Sequence, residues 1–408
     1  MSPIASFART ILIASSIPAM ACLSYWPLRL AWADRLSRAT AAETIARAVR
    51  LSSADADIRL RLAAAQQAAG SDPTATLETA ALLDPGNADT CTRLGLAAEM
   101  RGDLHTAEFH LLEAAHASRQ FAPRWALANY YFRRADGTHF WPWARESLRM
   151  GYHDLSPVFR LCWNMRPDAG LILERAIPPR REVLNAYIWF LMQDRLAVSG
   201  PAAAELAGMS TFEDRSALLY WCDRELEACS VSNTLDVWNT LCARHVLPYK
   251  PVDRDRAPLT DGSFSDAPAD GGFAWRVAPA TGVTIGRNRS PRYLWASFSG
   301  DQAETSTPLL QFVPVTPGAT YSLHLEYRTS ELPPASGLRW SVFDARTGID
   351  LATDSPWLSN PDWKPVELSF TAPAAGLVRL TLMCQRLPGA TRIEGSVALR
   401  HLSLERRT

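Results

Sequence analysis

Near residue 250 the spacing of apolar residues changes from three or four to two, and no single layer of secondary structure accommodates both. Upstream, Arg181 to Asp194, Ala202 to Leu206, Asp214 to Cys229 and Asn233 to Arg244 carry the helical spacing. Downstream, Tyr321, Leu323, Leu325 and Tyr327 alternate with Ser322, His324, Glu326 and Arg328. The same alternation recurs at Leu338, Trp340 and Val342, at Val366, Leu368 and Phe370, and from Val378 to Cys384. Pro317-Gly318, Thr347-Gly348 and Pro388-Gly389 punctuate the runs as turns. About eight to ten short strands in such a stretch predict a β-sandwich over 257–408. The switch itself, Leu247-Pro248-Tyr249-Lys250-Pro251 followed by Asp253 to Arg256, reads as a charged, proline-broken linker over 246–256. A chain of 408 residues has room for a separate helical domain, expected over 34–245.

The helical half contains a repeat of about 32–34 residues. Leu83-Asp84-Pro85-Gly86-Asn87 ends one helix, and Asn87 or Asp89 can cap the next. Aligning an upstream copy near Leu51 to Asp57 places Leu62 on Leu94 and Ala63 on Gly95, and Ala122-Pro123-Arg124-Trp125 restarts the pattern. With Leu94-Gly95, Ala98, Gly102, Ala107 and Ala114 at small and apolar positions, the stretch from Ala88 to Phe121 resembles a tetratricopeptide repeat. The likeness is good over about 50–125 and fades towards 245. Trp141-Pro142-Trp143 crowds a position where the family has a small residue, and Pro142 suits a first helical turn, so a helix is expected to start near Phe140. The resemblance implies an α-solenoid of about six helix pairs that holds a protein partner, with Glu99, Tyr130, Arg133 and Arg134 on its inner groove. There the arginines would take a peptide carboxylate by paired hydrogen bonds.

Several pieces of the C-terminal third resemble the jelly-roll carbohydrate-binding modules. Asp261-Gly262-Ser263-Phe264 stands at the opening motif, Thr316 to Tyr321 at a proline-glycine strand start, Trp363 to Phe370 at an inner strand, and Val397 to Leu404 at the closing strand. In the family an opening glutamate and a closing aspartate often hold calcium; Ser265 and Arg400 stand there instead, so no calcium is expected at that site. The resemblance implies sugar stacking on exposed aromatic rings. The chain has 14 tryptophans, and the candidates are Trp357, Trp275, Tyr293, Trp295 and Trp340, with Arg292 in a basic cluster beside Tyr293. Trp340 and Trp363 fall on alternating strands and are expected in the core, whereas Trp357 follows Pro356 in a polar loop and is the foremost exposed candidate.

Ile11 to Leu28 carries no charge, lies between Arg9 and Arg29, and ends with an interfacial pair, Tyr25 and Trp26. Residues 1–33 therefore read as a single-pass anchor. Competing readings are a cleaved signal peptide ending near Ala31-Trp32-Ala33 and a lipobox-like Ala19-Met20-Ala21-Cys22. The expectation is an inner-membrane protein with its soluble domains on the periplasmic side.

Lys+Arg (42) equals Asp+Glu (42), which argues against nucleic acid as a partner. The 7 cysteines contain no CxxC pair, so neither a disulfide framework nor a zinc site is expected. His105, His110 and His116 do not converge on one helical face, and no cofactor motif, nucleophile elbow or metalloprotease motif occurs. The expectation is thus an α-then-β, multidomain, non-enzymatic adaptor of a bacterial envelope, with no cofactor, no metal and no catalytic residues. Its solenoid would bind a protein and its sandwich a polysaccharide, in exopolysaccharide assembly or secretion. The alternatives are a structural scaffold without sugar binding and an accessory subunit of a carbohydrate-active enzyme.

Overall fold

A computed structural model describes residues 24–352 and 354–407. They divide into two compact units, with the boundary between Pro178 and Pro179. Most of the expected span from Ile11 to Leu28 lies outside the described residues; among those described, no helix is long and apolar enough to cross a membrane.

The first unit is helical. It comprises helical residues 24–37 (α1), then α2 (Ala42–Leu51), α3 (Ala56–Ala68), α4 (Thr74–Leu83), α5 (Ala88–Met100), α6 (Leu104–Ala117), α7 (Phe121–Arg133), α8 (Gly137–Met150), α9 (Ser156–Met165) and α10 (Ala169–Arg175). Side chains of the turns start many of these helices. Asp55, Asn87, Asp103 and Asp136 each accept the free backbone N–H groups of the first turn that follows. Asp136 starts α8 three residues before the expected Phe140, which places Pro142 inside the helix. Gly95 lets α5 and α6 touch: a Cβ there would lie 2.7 Å from Leu111 Cγ and 3.1 Å from the Ala107 carbonyl oxygen. Leu62 and Ala63, one repeat earlier, are likewise buried. The helix pairs expected from the repeat are present.

The second unit begins with four more helices, α11 (Arg181–Asp194), α12 (Gly200–Met209), α13 (Arg215–Glu227) and α14 (Val231–Ala243). They share this unit with the sandwich, and the segment expected as a solvated linker is built into its interior. Val246, Leu247, Tyr249 and Val252 are buried. The Asn239 amide accepts the Val252 N–H at 2.7 Å and donates to the Val252 carbonyl at 2.9 Å. Tyr249 stacks on Trp238 at 5.7 Å, and the edge of Phe273 meets the same indole at 5.7 Å. Gly272, at φ +56°, passes so close to Trp238 that a Cβ would lie 2.6 Å from the ring. On α13, Asp223 accepts the Gly272 N–H and an Arg276 N–H, each at 2.6 Å. Burial pushes the Asp223 carboxyl up and the Arg276 guanidinium down, while their mutual attraction opposes both shifts.

The sandwich strands are β1 (Arg276–Val277), β2 (Val283–Arg289), β3 (Arg292–Ser299), β4 (Thr305–Pro314), β5 (Thr320–Ser330), β6 (Leu338–Asp344), β7 (Lys364–Thr371), β8 (Leu377–Gln385) and β9 (Glu394–Arg406). They form two antiparallel sheets, ordered β1-β4-β8-β6 and β2-β3-β9-β5-β7. Alternate residues of both sheets meet in one core, including Leu294, Phe298, Leu323, Tyr327, Leu368, Val397, Trp340 and Leu382. The alternating sets of β5, β6, β7 and β8 are buried as the period of two requires.

A fragment from Pro179 keeps the Trp238–Phe273 and Asp223–Arg276 contacts, whereas one from Ala257 exposes Phe273 and strands Arg276. The first should melt cooperatively in circular dichroism; the second should aggregate or melt at a markedly lower temperature. Equal melting temperatures would mean that α11–α14 contribute nothing to the sandwich.

Candidate functional site

Burying Leu294, Ala296 and Phe298 of β3 turns Tyr293, Trp295 and Ser297 to the outer face of the five-stranded sheet. The register aligns these with neighbours on the same face. Trp295 pairs with Gly286 on one side and Ala398 on the other, and Ala398 pairs in turn with Arg328. One row across the sheet thus reads Gly286, Trp295, Ala398, Arg328. Beside it Asn288 pairs with Tyr293, and Arg400 with Glu326, which pairs in turn with Pro365. A third holds Ser297, Ser396 and Ser330. Ala398 and Ser396 of β9, lying between the larger Trp295 and Arg328, form the floor of a groove of about 810 Å³, lined among others by Tyr293, Trp295, Arg328, Glu331 and Ser396.

The ring geometry is set by close packing. A Cβ on Gly286 would lie 2.6 Å from Cε2 of Trp295, so the indole covers the space a side chain would take on the next strand. Tyr293 and Trp363 meet edge to face at 6.1 Å. The Arg328 guanidinium lies 5.5 Å from the Tyr293 ring centre and 5.1 Å from that of Trp363. Arg400 covers Trp363 at 4.0 Å and is neutralised by Glu326 at 2.6 Å. That guanidinium holds the Glu326 carboxyl below the usual carboxylate range. Arg328, by contrast, makes no hydrogen bond or ion pair with any described residue.

Of the residues singled out in the sequence, the structure brings Tyr293 and Trp295 together here. Trp275 is a core residue and cannot stack a ligand: it is 3% exposed, donates its indole N–H to the Asp261 carbonyl at 3.1 Å, and packs on Phe264 and Trp340. Trp340 is fully buried, which removes it too. Trp357 is half-buried beneath Arg339, beside β6 of the other sheet. Arg292 points to the rim, where it donates to the Ser265 hydroxyl at 3.4 Å. Trp363, expected in the core, is half-exposed on the groove side. It stands just before β7, whose Val366, Leu368 and Phe370 face inward and whose Pro365, Glu367 and Ser369 face out, and it lies on the side of the outward set. At the opening motif, the Asp261 carboxylate accepts the N–H groups of Ser265 and Asp266 at 2.8 and 2.9 Å.

In the helical unit the expected groove residues bond to one another. Arg133 donates twice to Glu99, at 2.8 and 2.6 Å. Tyr130 is 2% exposed and donates to the Leu104 carbonyl at 2.8 Å, so it is a packing residue between helices and not a groove residue. Arg134 lies over the Tyr130 ring at 4.4 Å.

No family model matches this chain, and no curated protein matches it. Among solved structures, a CBM4 module is 11% identical over 36% of this chain and 99% of its own, with a TM-score of 0.29. The CBM22-1 xylan-binding domain of Paenibacillus barcinonensis Xyn10C is 10% identical over 35% of this chain and 90% of its own, at 0.26. A CBM61 solved with β-1,4-galactotriose is 14% identical over 33% of this chain and 88% of its own, at 0.22.

Gly286→Ala should force the Trp295 ring off its seat and destabilise the chain by about 1–3 kcal/mol in urea unfolding. Adding Trp295→Ala should recover most of that loss, because the clash disappears with the ring. Additive losses in the double variant would show that the two residues do not touch.

Proposed function

We propose that this chain is a non-enzymatic binding protein whose sandwich holds a polysaccharide along the outer groove of the five-stranded sheet. The observation that carries the reading is the row Gly286–Trp295–Ala398–Arg328, which combines a seated indole, a low floor and a guanidinium with open donors. A sugar ring has an apolar face to stack on an indole and a rim of hydroxyls to bond. Ser297, Ser330, Ser396 and the Glu331 carboxylate line the groove and supply hydrogen-bonding groups for such a rim. Binding is favoured over hydrolysis because Glu331 is the one carboxylate among the lining residues, and a glycosidase needs a pair.

The helical unit is the part we assign to a protein partner. Supporting that, Leu82, Met100, Leu104 and Phe109 on α4–α6 are exposed. The N-terminal segment is the part we assign to the membrane. Tyr25, Trp26, Leu28, Leu30 and Trp32 of α1 are exposed, and Arg29 and Arg35 lie over Trp26 and Trp32, a composition suited to a bilayer surface. Together these assignments describe an adaptor at the inner membrane, with its soluble units on the periplasmic side, that handles an exported polysaccharide.

Affinity electrophoresis of the full-length chain through gels containing polysaccharides tests the groove. Trp295→Ala should remove retardation while leaving the melting temperature within a few degrees of the parent. Trp275→Ala should instead destabilise the fold by about 3–5 kcal/mol, as expected for a core aromatic. Retardation unchanged in Trp295→Ala would exclude the groove. Fractionation of expressing cells checks the membrane assignment, which full-length chain in the soluble fraction would overturn.

A further inference from the structure

The polysaccharide reading uses the open donors of Arg328 but not its charge. Arg328 is exposed on the outer face of β5, and none of its five N–H donors reaches an acceptor among the described residues. It lies instead 5.5 Å from the centre of the Tyr293 ring and 5.1 Å from that of Trp363. A guanidinium whose neighbours are rings and whose N–H groups have no acceptor can offer a paired donor edge to a planar, bidentate acceptor. The neighbouring cation differs. Arg400 lies over the same Trp363 ring, but its charge is spent on Glu326 at 2.6 Å. His401 also approaches Glu326, at 3.6 Å, so that carboxylate is occupied from two sides and does not compete for Arg328.

Position matters as much as charge. Ala398 is the register partner of both Trp295 and Arg328, so those two residues stand two strand spacings apart, about 10 Å between backbones. A hexose stacked on Trp295 with its exocyclic carbon directed over Ala398 reaches towards Arg328. Glu331 also lines the groove, and its negative charge disfavours a carboxylate there. An acidic group on the ligand is thereby directed to Arg328, and neutral hydroxyls to Glu331 and Ser330.

Resting on the polysaccharide reading above, we infer that the polymer is anionic, a uronate-bearing polysaccharide whose carboxylate is held by Arg328 while its ring stacks on Trp295.

The test uses the full-length chain with alginate, polygalacturonate and hyaluronate, each paired with its carboxyl-reduced counterpart, and measures affinity by titration calorimetry. At least one uronate polymer should bind about tenfold or more tightly than its reduced form, the size of one charge-assisted bidentate contact. Added salt should weaken the uronate and leave the reduced polymer unaffected. Arg328→Gln should erase the difference between the two polymers, Arg328→Lys should restore part of it, and the melting temperatures should stay close to that of the parent. Equal affinity for charged and reduced polymers, with Arg328→Gln indifferent, would overturn the inference and leave polysaccharide binding standing. Binding to none of the six polymers, nor to neutral polymers, would overturn the polysaccharide reading and this inference with it.

Discussion

The strands β3, β5, β7 and β9 of the five-stranded sheet bury alternate residues against the four-stranded sheet, and that alternation decides which rings are core and which face the groove. Leu294, Ala296 and Phe298 go in, so Tyr293, Trp295 and Ser297 go out. Val397 and Leu399 go in, so Ser396, Ala398 and Arg400 go out. A slip of one residue would reverse both sets, placing Arg328 in the core and Tyr327 in water, at a cost no surface contact could offset. The groove is thus a by-product of core packing, and its rigidity comes from the hydrophobic cluster beneath it.

A second constraint joins the last four helices to the sandwich. Trp238 on α14 is fully buried between Tyr249 and Phe273, and Gly272 permits the close approach of the incoming chain. The Asp223–Arg276 pair lies at this same junction and is partly desolvated, so removal of either partner leaves a charge that burial already disfavours. Function and stability are consequently divided within one unit. The helices support the face that holds β1, while the opposite sheet carries the groove.

Much of this architecture is legible in the sequence. The change of period locates the helices and the strands, and the repeat locates the close approach at Gly95. Two features were not legible, for physical reasons. The segment 246–256 is rich in proline and charge, which reads as a solvated linker, yet Val246, Leu247, Tyr249 and Val252 are buried, with Tyr249 stacked on Trp238 and Val252 bonded to Asn239 of α14, a folding back that composition does not reveal. The tryptophans are the other: Trp357 follows Pro356 in a polar loop yet is half-buried, and Trp363, which its place beside the alternating run to Phe370 suggests for the core, stands just before β7 on the groove side, because parity and not local composition decides the face. Counting from Val366 places Trp363 outside; counting from Leu338 places Trp340 inside. Trp275 lies before a two-residue strand, too short to carry an alternation, and its burial follows from the turn at Asp261 that receives its indole N–H.

The central claim is that the outer face of the five-stranded sheet, and no other surface, holds the polymer. The indole N–H resonances of the chain report on it directly, assigned by single tryptophan-to-phenylalanine replacements and followed during titration with a bound polysaccharide. The account expects Trp295 and Trp363 to shift with saturating concentration dependence, while Trp275, Trp340 and Trp357 stay in place. A shift confined to Trp357, on the opposite sheet, or the absence of any shift at Trp295 while the polymer is bound, would contradict it.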